Sequence, residues 1–95
     1  MIEVSVREDG ITVSGHAGYA KSGKDIVCSA VTTLVQTFVG SIESLTKDKM
    51  ECKMSAGMAD VRYKNLSEQG KLLVDSFFIG ILMIADEFPD YIRVR

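Results

Sequence analysis

Residues 15–33 read GHAGYAKSGKDIVCSAVTT and separate a segment with strand periodicity from a segment with helical periodicity. They contain the only histidine of the chain, His16, and one of its two cysteines, Cys28. Between these two residues lies a stretch rich in glycine, serine and lysine, which is typical of a flexible loop. A side chain that can act as a base, a flexible loop and a thiol at the start of a helix are the components of a thiol nucleophile site. We therefore interpret the rest of the chain as a scaffold for this stretch.

The residues before this stretch predict a β-hairpin. Apolar and polar residues alternate over residues 2–7, and a period of two indicates a strand with one buried face. The Asp-Gly pair at residues 9–10 is predicted to form a tight turn, with residues 11–14 as the second strand. By the same alternation, His16 is expected at the end of that strand and at the edge of the core.

The residues after the loop predict an amphipathic helix. Asp25 is suited to cap its N-terminus, because a carboxylate accepts hydrogen bonds from the free N–H groups of a first helical turn. Cys28 then falls within that turn, and Gly40 is expected to allow the close approach of a neighbouring element. The apolar positions recur at helical spacing, at Ile26, Ala30, Val31, Leu34, Val35, Phe38, Ile42 and Leu45.

A second hairpin is predicted in the middle of the chain. Residues 50–54 and 58–63 alternate on either side of an Ala-Gly pair at residues 56–57. By this alternation Cys52 shares an inward face with its apolar neighbours and is interpreted as a structural cysteine.

A second helix and a short strand complete the predicted fold. Residues 67–88 have helical spacing, Pro89 ends the helix, and residues 91–95 are predicted to form a strand. We predict an α+β fold with the order ββαββαβ, in which two helices pack on one mostly antiparallel sheet in two layers. Residues 1–95 form a single domain. The apolar face of the second helix is widened beyond the needs of one sheet by Phe78, Leu82 and Met83.

Composition limits the class of protein. A net charge of -2 argues against direct binding of nucleic acid, which usually needs a basic surface, but it favours an encounter with a basic peptide. Acidic residues interrupt the apolar run over residues 72–88, so we expect no membrane span. The N-terminus has no signal-like run, and two cysteines are too few for a disulfide framework. We therefore expect a cytoplasmic protein with reduced thiols.

The parts needed for nucleophilic catalysis lie close together in this stretch. A helix N-terminus presents unpaired N–H groups and a partial positive charge, which favour the thiolate form of Cys28. His16 can accept the thiol proton and later protonate a leaving amine. The same N–H groups are expected to stabilise a tetrahedral oxyanion. Asp25 is interpreted as a helix cap rather than as a third catalytic residue.

Two other kinds of site are disfavoured. Residues 18–24 match the G-x-x-x-x-G-K pattern of a phosphate-binding loop, but Asp25 stands where such a loop needs Ser or Thr for magnesium. Its carboxylate would also repel phosphate, and the chain is too short for the parallel sheet of that fold. One histidine and two distant cysteines form no zinc pattern, so we expect neither a metal nor a cofactor.

The chain resembles the ribosomal-processing cysteine protease family, called Prp. The resemblance rests on GHA at residues 15–17, a glycine-containing loop, DIVC at residues 25–28 and AV at residues 30–31. The length, the element order and the twelve-position separation of His16 and Cys28 agree with it. Ser29 departs from the alanine that is frequent in the family, and serine is compatible with a first helical turn.

This resemblance implies a cysteine-protease-like domain that removes the N-terminal extension from the precursor of a large-subunit ribosomal protein. It implies that Cys28 is the nucleophile and His16 the general base, as a dyad. It also implies a homodimer, which suits the broad apolar face of the second helix. The resemblance further implies a mobile loop that covers the substrate and includes Gly18, Ser22 and Gly23.

An alternative remains open from the residues alone. The chain has no evident third catalytic residue, and its loop is long and open. A non-catalytic, ribosome-associated module that holds a peptide in the same groove would share these features.

Overall fold

The computed structural model describes residues 1–21 and 24–95 and has the predicted element order. Within these residues five strands form one sheet, mostly antiparallel, and two helices accompany it, so the predicted α+β class is confirmed. The elements are β1 (Ile2–Arg7), β2 (Gly10–Ser14), α1 (Ile26–Leu45), β3 (Met50–Ser55), β4 (Met58–Tyr63), α2 (Glu68–Glu87) and β5 (Ile92–Val94).

The first hairpin turns one residue earlier than predicted. Arg7 pairs with Gly10, so Glu8 and Asp9 form the turn. A Cβ atom on Gly10 would lie 2.6 Å from the carbonyl oxygen of Val61 on β4. Glycine is therefore needed here because the neighbouring strand approaches closely, and not because the turn requires it.

Helix α1 begins directly after Asp25, as the spacing predicts. Packing must stabilise this helix, because its many valine and threonine residues have low intrinsic helix propensity. By length and composition alone, α1 is the one described helix that could cross a membrane, since its mean hydropathy is 1.4. The core helices of soluble proteins have the same composition. The buried face of α1 consists of Val27, Val31, Val35, Phe38 and Ile42.

Helix α2 is capped by two polar side chains. The hydroxyl of Ser67 accepts a hydrogen bond from the N–H group of Gly70 at 3.1 Å and donates one to Asp48 at 2.7 Å. Asp48 also accepts the backbone N–H group of Ser67 at 3.0 Å. Ser67 and Phe88 are the two cap residues, so both predicted ends of the helix are correct within one residue.

The sheet has the strand order β3-β4-β2-β1-β5, with β5 parallel to β1 and the other pairs antiparallel. Ile11 of β2 pairs with Val61 of β4 on the face that the helices cover. On that face Phe38 of α1 contacts Tyr63 of β4 and Phe77 of α2, at ring-centroid distances of 6.3 and 5.6 Å. The core therefore lies between the sheet and both helices, which is the predicted two-layer arrangement.

Two interior positions were predicted wrongly. Gly40 is exposed, and a Cβ atom there would meet nothing within 4 Å, whereas one on Gly80 of α2 would lie 3.0 Å from the methyl groups of Leu34. Gly80 is thus the residue that brings the helices close. Cys52 lies opposite Val61, on the predicted face of the sheet, but it is exposed because β3 is the outermost strand and most of its residues remain uncovered.

Candidate active site

His16 lies just beyond the end of β2 and is exposed, as the alternation predicts. The preceding residue, Gly15, has a φ of 91°, and a Cβ atom on it would collide with the carbonyl oxygen of Met1. The N–H group of Gly15 donates a hydrogen bond to the carbonyl oxygen of Gly57 at 2.9 Å. This backbone turns the chain out of the sheet immediately before His16.

Cys28 is the third residue of α1 and is half-buried. Its Sγ accepts a hydrogen bond from the N–H group of Ala17 at 3.4 Å, and Ala17 directly follows His16. The side chains of His16 and Cys28 line the same cavity. The structure therefore brings together the two residues that the sequence predicts to be catalytic.

Asp25 holds two segments at once. Its Oδ1 accepts hydrogen bonds from the N–H groups of Val27 and Cys28, both at 3.0 Å, and caps the helix. Its Oδ2 accepts hydrogen bonds from the N–H groups of Tyr19 and Ala20 at 3.0 and 3.3 Å. The cap is as predicted, and the link to the loop is a second role that the sequence did not reveal.

The environment of Asp25 keeps its carboxylate charged. The N–H group of Cys28 is the largest cause that lowers the pKa of Asp25 below its usual value, and the other three N–H groups act in the same direction. Burial acts in the opposite direction and is outweighed. In residues 1–21 and 24–95, no hydrogen bond joins this carboxylate to His16. Asp25 is thus linked to Cys28 through the backbone N–H group of that residue.

Three N–H groups in the first turn of α1 have acceptors within the chain. Those of Val27 and Cys28 donate to the Asp25 side chain, and that of Ser29 donates to the Asp25 carbonyl oxygen at 3.0 Å. The stabilisation of an oxyanion by the start of α1 therefore stays a prediction. The backbone donor that does face the sulfur is the N–H group of Ala17.

Aromatic contacts fasten the first part of the loop. The ring of Tyr19 meets those of Phe88 and Tyr91 edge-on, with ring-centroid distances of 5.6 and 5.2 Å. The loop is thereby attached to the end of α2 and the residues before β5. Of the predicted substrate cover, Gly18 is exposed, whereas Ser22 and Gly23 lie outside the described residues. Its covering role stays a prediction.

Two cavities meet at the thiol. The larger, of about 610 Å³, is a groove lined by both polar and apolar groups, and the smaller, of about 270 Å³, extends beneath the thiol toward the sheet. His16, Cys28 and Thr32 line both. A peptide in the groove can therefore place one apolar side chain in the smaller cavity. The apolar lining of that cavity includes Val13, Val31, Val35, Met54 and Met58.

The sequence did not predict that the β3–β4 hairpin forms a wall of the smaller cavity. The Ala-Gly pair predicts the turn itself, but only the pairing of β2 with β4 places that turn beside His16. Thr32 follows Cys28 by four positions, so helical spacing places both residues on one face of α1. This spacing was the one local sequence signal for a further residue that lines the cavities. Over the described parts of the chain, no group of three or more His, Cys, Asp or Glu residues is placed to hold a metal ion.

Comparison with known proteins gives one consistent result. The family model for cysteine protease Prp matches residues 1–93. The ribosomal processing cysteine protease Prp of Mycoplasma genitalium is 26% identical and covers 100% of this chain and 95% of its own length. A Streptococcus mutans crystal structure has a TM-score of 0.86 at 26% identity, covering 100% of this chain and 92% of that one. The Prp protease of S. aureus, solved with a covalently linked product peptide, has a TM-score of 0.89 at 20% identity, covering 99% and 95%.

Proposed function

The chain belongs to the cysteine protease Prp family, whose members are named for ribosomal processing, and from this premise we propose the reaction that it performs. It removes the N-terminal extension from the precursor of a large-subunit ribosomal protein. Cys28 is the nucleophile and His16 is the general base, as a dyad. Asp25 supports both through the backbone.

One observation carries this proposal: the only histidine of the chain shares a cavity with a half-buried thiol at a helix N-terminus. The Ala17 N–H group on Sγ and the positive end of the α1 dipole both stabilise negative charge on that sulfur. A protonated imidazole in the same cavity adds to this effect. These are the conditions under which a cysteine becomes a nucleophile near neutral pH.

The reaction follows in two stages. His16 takes the proton of the thiol, and the sulfur attacks the carbonyl carbon of the scissile peptide bond. The C–N bond breaks, His16 gives its proton to the leaving amine, and an acyl thioester remains on Cys28. Water then attacks the thioester while His16 takes one of its protons, and the thiol is restored. As the S–C bond forms, the charge leaves the sulfur and frees the N–H group of Ala17 to donate to the developing oxyanion.

The shape of the site supports a peptide substrate. The groove of about 610 Å³ leaves room for a peptide beside Cys28, and the smaller cavity suits an apolar side chain next to the scissile bond. The net charge of -2 favours encounter with a basic ribosomal protein.

Mass spectrometry of the precursor after incubation with the protein tests the proposal. We expect a mature product and a released extension with the native chain, and intact precursor with Cys28→Ala or His16→Ala. Cys52→Ala is the matched control, because it removes the other cysteine from an exposed strand and should leave cleavage unchanged. Cleavage by Cys28→Ala at the native rate would refute the assigned nucleophile.

Selective alkylation tests the activation of the thiol independently of any substrate. Partial desolvation, with the nearby carboxylates of Glu43 and Asp60, raises the pKa of the Cys52 thiol. Iodoacetamide at mildly acidic pH should therefore modify Cys28 well before Cys52, and peptide mapping identifies the product. Equal rates at the two cysteines would contradict an activated Cys28.

We also propose a homodimer formed through the helices. Ile26 of α1 and Ile79 and Met83 of α2 are 55–67% exposed, and an apolar groove runs between the two helices. A second copy of the chain would cover these side chains. Analytical ultracentrifugation should show a dimer that Met83→Lys dissociates, whereas Leu45→Lys, at an equally exposed leucine, should not. A monomer in the native protein would refute this assembly.

The free cysteines indicate the cellular location of the protein. We propose a cytoplasmic location, because free thiols are typical of reducing compartments.

Membership of a protease family weighs against the non-catalytic binding module. Stable binding of the precursor without turnover, at any enzyme concentration, would revive that module.

A further inference from the structure

The turn between β3 and β4 packs against the imidazole of His16, and we infer that Gly57 is a positioning residue for this histidine. The inference rests on the proposed dyad. Gly57 touches no reacting atom of the substrate in this assignment. It acts by leaving the imidazole a space that any side chain would fill.

The distances show how little room there is. A Cβ atom on Gly57 would lie 2.7 Å from Nε2 of His16, 3.1 Å from Cε1 and 3.4 Å from Cδ2. Ordinary contacts of a Cβ atom begin near 3.4 Å. A methyl group would therefore push the Nε2 end of the ring by about 0.7 Å, or push the turn away by the same amount.

The backbone of Gly57 reinforces the contact. Its φ of 73° lies in the left-handed region that favours glycine, and its carbonyl oxygen accepts the N–H group of Gly15 at 2.9 Å. This bond continues the ladder between β2 and β4 one step beyond the pair of Ser14 and Met58. The turn thus fixes both the chain entering His16 and the space for its ring.

His16 is exposed, and among the described residues no side-chain hydrogen bond reaches its imidazole. Packing on Gly57 is therefore a contact that limits where the ring can lie relative to Cys28. Misplacement of a catalytic group by 1 Å can cost about a hundredfold in rate, so a shift of this size should cost about tenfold to a hundredfold.

Two substitutions separate this steric role from the backbone role. Gly57→Ala adds a Cβ atom and also strains the turn. Gly57→Asn adds the same Cβ atom, but asparagine adopts positive φ more readily, so the fold should be retained. Gly40→Ala is the control for the same chemical change at a position in α1 where nothing lies within 4 Å.

The experiment combines kinetics with NMR of the full-length protein. We expect kcat for precursor cleavage to fall about tenfold to a hundredfold in Gly57→Asn, with little change in KM and a melting temperature near that of the native protein. Gly40→Ala should cleave at the native rate. Because the chain has one histidine, its imidazole gives one set of resonances, which should shift in Gly57→Asn and not in Gly40→Ala.

The outcomes distinguish this inference from the proposed function. A native kcat and unshifted His16 resonances in a folded Gly57→Asn variant would overturn the role of Gly57 and leave the dyad intact. If the native protein does not cleave the precursor, the proposed function fails, and the resonances still report whether the ring moves. A fall in kcat with unshifted resonances would also overturn positioning, because the loss would then have another cause.

Discussion

Asparagine in place of Asp25 should separate the two segments that this carboxylate holds. Aspartate presents two acceptor oxygens to four backbone N–H groups. Asparagine has one acceptor oxygen and an amide nitrogen that can only donate. If the oxygen stays with Val27 and Cys28, the amide nitrogen faces the N–H groups of Tyr19 and Ala20. The variant then keeps the helix cap and loses both bonds to the loop.

The magnitude follows from these two bonds. A hydrogen bond to a charged acceptor corresponds to about a tenfold to hundredfold change in an equilibrium constant. We therefore expect amide hydrogen exchange at Tyr19 and Ala20 to accelerate by about tenfold to a hundredfold in Asp25→Asn. Exchange at Val27 and Cys28 should change much less, because their acceptor remains.

NMR-detected exchange on the native protein and the variant measures all four amides in one experiment. Asp25→Ser is the comparison variant, because a serine at an N-cap bonds only the first helical turn and should release the loop in the same way. Equal loss of protection at all four amides would refute the reasoning. Protection from exchange could instead be lost at Val27 and Cys28 and kept at Tyr19 and Ala20. The contacts with the loop, and not the helix cap, would then decide how the asparagine side chain is oriented.

The pH dependence of stability tests the same carboxylate. The pKa of Asp25 is lowered in the folded chain, so its contribution to stability is present above the unfolded value, about 3.9, and is lost as pH falls through the folded pKa. Asp25→Asn has no proton to take up at this site. The difference in free energy of unfolding between native protein and variant should therefore narrow below about pH 4. Urea unfolding across this range measures it, and a constant difference would contradict the assignment.

Four substitutions test the packing and the cap of α2 by urea unfolding. Gly40→Ala should raise the free energy of unfolding by about 0.5–1 kcal/mol, because alanine favours an exposed helical position, whereas Gly80→Ala should gain less, since its methyl group would press on Leu34 at 3.0 Å. Ser67→Ala removes the N-cap bond of α2 and should cost about 1 kcal/mol. Ile81→Ala should cost about 2–5 kcal/mol, because this side chain is fully buried.

Each of these expected changes in stability can be contradicted by a specific result. Equal gains from the two glycine substitutions would mean that the helices separate easily at Leu34. An unchanged midpoint in Ser67→Ala would show that Asp48 alone holds the helix start. A loss below about 1 kcal/mol for Ile81→Ala would mean that the core closes over the vacated space.

Local patterns predicted much of the secondary structure. The alternation over residues 2–7 fixed the buried face of β1, and Asp25 and Ser67 marked the starts of both helices. These features depend on neighbours within four residues, so the sequence displays them directly. The turn at Glu8 and Asp9 was missed by one residue, because the glycine that marked it serves a distant strand.

The site was predictable in its parts and not in its surroundings. The residue types and spacing around His16 and Cys28 identified a thiol site. The number of N–H groups bound by Asp25 was not predictable, because it depends on how the loop folds back over the helix start. For the same reason the sequence did not show that the N–H group of Ala17 lies beside the sulfur of Cys28.

By itself, the sequence determined which residues form strands and helices, where the helices begin, and that a histidine and a cysteine flank one loop. Only the tertiary structure decided that β4 pairs with β2, which brings Gly57 against His16, and that β3 lies at the edge, which exposes Cys52. The physical reason is range. Hydrophobic period and capping act over a few residues, whereas strand order depends on which apolar faces are buried together across the whole chain.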